Sequence, residues 1–115
     1  MNNYLVPVTG ILYRLLMQIV AKKRLKKFWE KHPRVKIPLE TWYAIVSKAE
    51  WKSPAEIKKM FGATVDFVAG NRVVFDISGN SYRLVVHISY EYKAVLIKFI
   101  GAHAQYDKID VEHVS

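Results

Sequence analysis

The run Gly101-Ala102-His103-Ala104-Gln105-Tyr106-Asp107-Lys108 carries an imidazole, a phenol and a carboxylate at spacings of three and four residues. On a helical turn such residues share one face, so His103, Tyr106 and Asp107 would converge. A histidine near neutral pKa moves protons, a nearby carboxylate orients or charges it, and a tyrosine donates a hydrogen bond or stacks on a base. The plain alternative is a C-terminal helical cap with Tyr106 packed on a sheet. Arg83 is the second candidate, because a permanently charged planar fork clamps phosphate and stabilises negative charge added in a transition state. It could instead form a cross-strand ion pair with Asp76, worth about 0.2–1 kcal/mol when exposed. The two roles are compatible, since Asp76 would hold Arg83 in position.

Positioning these groups is a task for strands. In 72–77, Val73, Phe75 and Ile77 share one side of the pleat while Arg72, Val74 and Asp76 share the other. In 82–89 the sorting is Tyr82, Leu84, Val86 and Ile88 against Arg83, Val85, His87 and Ser89. Gly79-Asn80 reads as a two-residue hairpin loop with positive φ at both positions. That loop sets Asp76 opposite Arg83 and Arg72 opposite His87. A third run offers Val95, Ile97 and Phe99 to the core and Leu96, Lys98 and Ile100 to the opposite face. The open face then carries Arg72, Arg83, His87 and Lys98 among valines and a leucine.

Upstream, 18–21 reads as a short strand and 22–31 as a helix with Leu25, Phe28 and Trp29 inward beside Lys22, Lys23, Lys26 and Lys27. A second helix starts near Pro38, with Leu39, Trp42, Ile45, Val46 and Ala49 as its buried stripe. Ser53-Pro54-Ala55-Glu56 matches a capping box opening a helix through Phe61 that Gly62 closes, pinned by Ile57, Met60 and Phe61. The stretch 63–70 is expected as a loop or frayed strand. The fold class is α+β: a small antiparallel sheet, a three-strand meander plus an N-terminal strand, with N-terminal helices packed on one face.

The chain has 115 residues, enough for one domain that buries roughly two thirds of its unfolded surface. There is no cysteine, so disulfides, thiol nucleophiles and thiolate metal sites are excluded. His32, His87, His103 and His113 lack metal-ligand spacing, and neither a metal nor another cofactor is expected. The net charge of +8 is concentrated in residues 17–64, which hold twelve basic and four acidic residues. That field favours a polyanion, most simply nucleic acid, although a solvated lysine-rich surface would look the same. No membrane span or secretory signal is expected, because the apolar run from Ile11 to Val20 is short and contains Arg14. A cytoplasmic protein is the default.

AKKRLKKFWEKHP, WYAIVSKAEWKSPAEIKKMF, NRVVFDISGNSYRLVVHISYE and IKFIGAHAQYDKID, in this order, resemble the HigB-type toxins of bacterial type II toxin-antitoxin modules, in the RelE/ParE superfamily. The resemblance covers about residues 17–110. It implies a RelE-like fold and a metal-independent mRNA endoribonuclease, an mRNA interferase acting on translating ribosomes and silenced by a helix-turn-helix antitoxin of the HigA type. It also implies attack of a ribose 2′-hydroxyl on the adjacent phosphate, leaving a 2′,3′-cyclic phosphate and a 5′-hydroxyl. Arg83, His103, Tyr106 and Asp107 are the expected catalytic residues. Lys22, Lys23, Lys26, Lys27, Arg72, His87 and Lys98 are expected to bind RNA. The family's last motif usually reads THAEYDKI, and here Ala102 and Gln105 stand in place of its Thr and Glu. Rival readings are a gyrase poison of the ParE type, which needs no proton-transfer group, and a non-catalytic RNA-binding module. Residues 1–16 are expected to be a dispensable extension ahead of a single domain over 17–115, because the family-like pattern begins at Met17.

Overall fold

The computed structural model describes residues 16–115, so the expectation for the extension falls, apart from Leu16, outside the described residues. The elements are β1 (Gln18–Val20), α1 (Lys22–Lys31), α2 (Lys36–Ser47), α3 (Pro54–Phe61), β2 (Val65–Val68), β3 (Arg72–Ile77), β4 (Tyr82–Ser89), β5 (Ala94–Ala102) and α4 (His103–Tyr106). They build a five-stranded sheet in the order β1-β5-β4-β3-β2. β1 runs parallel to β5 and every other pairing is antiparallel. The α+β class stands, with one strand more than expected and a mixed sheet in place of the antiparallel one, because the N-terminal strand joins the edge of β5 in parallel. The stretch expected as a loop or frayed strand is a strand in part: it contains β2, whose two central residues, Asp66 and Phe67, are exposed. So short an edge strand owes its existence to the ladder with β3 rather than to an alternating pattern of its own.

The helices cover one face. Phe75 lies at the centre of an aromatic group, with Phe61 at 4.8 Å, Trp42 at 5.4 Å and Trp51 at 6.5 Å between ring centroids. Leu25, Val35, Leu39, Val46, Ile57 and Leu84 are each wholly buried in the same core. Two core residues expected from the helices are not in it: Ile45 and Met60 are 40% and 52% exposed. On α2 the buried positions Leu39, Trp42 and Val46 define the inward stripe, and Ile45 projects to its side with Ile37 and Thr41 at helical spacing. Helix α2 also begins two residues before Pro38, which sits in the first turn, where its missing N–H costs nothing. Ser53 and Glu56 do not close a capping box. The Glu56 carboxylate instead accepts from the Lys52 backbone N–H at 3.1 Å, while Pro54 opens the helix and Gly62, with φ of 62°, ends it.

One irregularity redirects the last strand. Val85 pairs with Phe99 and Val86 with Ile97, so Lys98 is the extra residue of a β-bulge. Parity reverses beyond it: Ile100, not Phe99, packs against the core, and Phe99 turns to the side that carries Arg83. The pairing of β1 with β5 ends at Leu96. From α1, Arg24 then takes over the free edge, donating to the carbonyls of Ile97 and Lys98, each at 2.9 Å. The guanidinium thus satisfies backbone acceptors that a strand would otherwise have engaged.

The face opposite the helices is not open throughout. Val74 and Val85 are 1% and 0% exposed. Arg72 donates to the carbonyl of Val111 at 3.0 Å and to that of Val114, tying the C-terminal segment to the sheet. An exposed contact of 2.7 Å between His113 Nδ1 and Asp110 stiffens the same segment, and holds the Asp110 carboxyl below its ordinary value.

Candidate active site

The hairpin between β3 and β4 aims Arg83. Asp76 faces Arg83 in the register expected from parity, and Asp76 Oδ1 lies 3.2 Å from Arg83 Nε as a close ion pair. The turn differs in detail: positive φ falls on Ser78 and Gly79 rather than on Gly79 and Asn80. Asn80 is thereby freed for another task, and its Oδ1 accepts from Arg83 Nη2. The guanidinium is gripped from two directions, with its side chain 11% exposed. Asn80 was not legible as a site residue, because an Asn in a turn reads first as a backbone device.

The second half of the site comes from the end of β5. Gly101 pairs with Arg83, and the backbone N–H of His103 donates to Ser81 at 3.1 Å, fastening the start of α4 to the hairpin. A Cβ on Gly101 would stand 2.6 Å from the tip of the Phe99 ring and 2.8 Å from Gln105 Oε1. Glycine is therefore required here for close approach rather than for an unusual φ. Within α4 the expected i,i+4 pair forms: His103 Nδ1 lies 3.0 Å from Asp107 Oδ2. Tyr106 turns toward Arg83, whose Cζ lies 5.9 Å from the ring centre.

Burial raises the Tyr106 pKa above its ordinary value; nearby Arg83 opposes the shift, while Asp66, Asp107 and Asp76 add to it. The side chain is accordingly a neutral phenol at physiological pH, a hydrogen-bond donor and not a base. A raised folded-state pKa contributes stability that is present below the unfolded value near 10 and is lost as pH rises through the folded one. Tyr90 is raised as well, by burial. Among the described residues, Tyr90 and Tyr106 are expected to titrate late in an ultraviolet pH titration of the folded protein, and Tyr106→Phe should remove its part of that signal.

Gln105 closes half of a capping box, its Oε1 accepting from the Ala102 backbone N–H at 3.1 Å. Ala102 is the N-cap, and its methyl group provides no acceptor for the return bond. Ala102→Thr should complete the box and stabilise the protein by about 1 kcal/mol. Thermal unfolding would register this as a rise of roughly 4–8 °C.

Other singled-out residues lie apart from this cluster. His87 is on the same side of β4 as Arg83 but four residues away, about 13 Å along the strand. Arg72 is committed to the C-terminal carbonyls, and Lys98 occupies the bulge. Lys22, Lys26 and Lys27 divide between two surfaces, and Lys23 is exposed on α1 apart from both. Lys22 stands over the Tyr43 ring at 4.3 Å and, with Lys26, lines a depression next to α2. Lys27 lines a different groove, about 760 Å³, between α1 and β5. No cluster of three or more potential metal ligands occurs among the described residues. No helix among them is long and apolar enough to cross a membrane.

Fold and site together define a small α+β protein with a basic helical layer and a cluster of Arg, His, Tyr and Asp at one end of its sheet. Residues 35–109 match the family HigB_toxin, the RelE-like toxic component of a toxin-antitoxin system, and the chain belongs to that family. It is similar to the mRNA interferase HigB of Escherichia coli O6:H1, with 28% identity over 94 residues, 81% of this chain and 91% of that protein. It is also similar to the mRNA interferase toxin HigB of Escherichia coli K12, 28% identical over 98 residues covering 84% of this chain and 94% of the relative. Membership makes this chain a toxin whose counterpart is an antitoxin.

Proposed function

We propose that this toxin is an mRNA endoribonuclease using Arg83, His103, Tyr106 and Asp107, without a metal. What carries the reading is the meeting of two preformed elements: an arginine held by Asp76 and Asn80, and a histidine whose Nδ1 is occupied by Asp107. Nε2 of His103 is then the nitrogen directed to substrate. A base removes the proton of the ribose 2′-hydroxyl, the 2′-oxygen attacks the adjacent phosphorus, and the bond from phosphorus to the 5′-oxygen breaks. A proton delivered to that leaving oxygen gives a 5′-hydroxyl, and the other product ends in a 2′,3′-cyclic phosphate. His103 is the leading proton-transfer group. Arg83 pairs with the non-bridging oxygens as charge accumulates, and neutral Tyr106 donates a hydrogen bond or supports a base.

The basic layer gives this chemistry its substrate field. Lys22, Lys23, Lys26 and Lys27 serve as contacts to RNA or ribosomal backbone, since lysine holds phosphates without reading sequence. Lys98 extends the positive face, His87 adds a ring that can hydrogen-bond RNA, and Arg72 contributes through the C-terminal segment it secures. The antitoxin is of the HigA type, with a helix-turn-helix, and the working site is ribosome-bound mRNA. Primer extension on transcripts after induced expression tests the function: cleavage at discrete positions within reading frames is expected. Intact transcripts accompanied by DNA damage would instead identify a gyrase poison.

A further inference from the structure

From the groove between α1 and β5 we infer a track for single-stranded RNA, with Phe99 as the platform on which one base stacks; this rests on the ribonuclease reading. The groove is lined by Arg24, Lys27 and Lys31, one carboxylate, Glu30, and the rings of Phe28 and Phe99. Lys27 and Lys31 are exposed, and Arg24 keeps its charge in the wall while its donors hold the bulge carbonyls. Three cations against one anion favour a phosphate backbone. Aromatic rings beside them suit unstacked bases, because every base presents a π-face and stacking tolerates sequence.

Phe99 joins the groove to the site. The bulge at Lys98 turns it away from the core, and its ring tip lies over Gly101, the residue that pairs with Arg83. A base resting on Phe99 would therefore sit one step from the arginine, with its neighbouring phosphates running back toward Lys27 and Lys31. The absence of a side chain at Gly101 is what leaves room for that ring. Beyond Leu96 β1 no longer pairs with β5, and Arg24 takes its place along that edge, so the groove follows the strand toward the site.

Direct binding to a short 2′-O-methylated RNA of mixed sequence tests the track, because such RNA lacks the attacking hydroxyl and measures binding whether or not the protein cuts. The full chain should bind it with a salt-dependent affinity. Phe99→Leu should weaken binding about tenfold, as expected for a lost stacking contact, while Phe99→Tyr should restore it to near the original value. The surface pair Lys27→Glu and Lys31→Glu should reduce the slope of log affinity against log salt by about 1.4, two phosphate contacts at about 0.7 each. No binding by the parent protein, unchanged affinity in all variants, or equal losses in Phe99→Leu and Phe99→Tyr would overturn the inference. So would variants that keep RNA affinity but lose the antitoxin, which would make the groove a protein interface. Loss of transcript cleavage with the RNA track intact would count against the ribonuclease chemistry alone.

Discussion

Arg83→Ala and His103→Ala are each expected to lower RNA cleavage by about 10²–10³-fold or more and to relieve growth inhibition. Arg83 acts through charge and fork geometry together. Arg83→Lys should therefore recover only part of the loss, because a single ammonium nitrogen cannot be held by both Asp76 and Asn80 and still reach a phosphate oxygen as a delocalised guanidinium can. Removing the guanidinium also leaves the Asp76 carboxylate, 21% exposed, without its partner, so circular dichroism must first show that the variant folds. His103 has no such confounding role, since its side chain is 43% exposed and its ion-pair partner Asp107 is more exposed still. Asp107→Asn should lower cleavage less than His103→Ala, because it removes the group that orients the ring but leaves the ring. Folded Arg83→Ala and His103→Ala proteins that both remain toxic and still cut RNA would remove these residues from the mechanism.

Phe75→Ala is the substitution expected to damage the fold most. Its ring is 1% exposed and touches Trp42, Trp51 and Phe61, joining α2, α3 and the segment between them to β3. Truncation removes the transfer free energy of the ring and leaves a void that two indoles cannot readily fill, a loss of about 3–5 kcal/mol. Set against a total of about 5–15 kcal/mol for a domain, that is a large fraction. A fall in Tm of roughly 12–40 °C is expected, with Phe75→Leu losing substantially less. Because Asp76 follows Phe75 directly on β3, the Phe75→Ala protein should lose activity at temperatures below its own Tm. A variant with an unchanged Tm would show that the aromatic group does not anchor helices to sheet.

Period-two alternation in 72–77 and 82–89 was enough to determine the hairpin register, including Asp76 opposite Arg83, because one slipped residue would have reversed every buried side chain. Helical spacing was likewise enough to bring His103 to Asp107. The sequence also carried the family, through several segments in fixed order. Tertiary structure alone decided the rest. The bulge at Lys98 has no local signature, since 94–102 alternates as well with the extra residue as without it, and only pairing with β4 and the hold of Arg24 select the reversed parity. That selection carried Phe99 to the site face and Ile100 to the core. The short edge strand β2 exists because β3 offers it a ladder, and Arg72 is tied to the C-terminal segment because its carbonyls lie within reach of the guanidinium. Local spacing records which side chains share a face; which faces meet depends on contacts between residues far apart in the chain, and those are made only when the whole core packs.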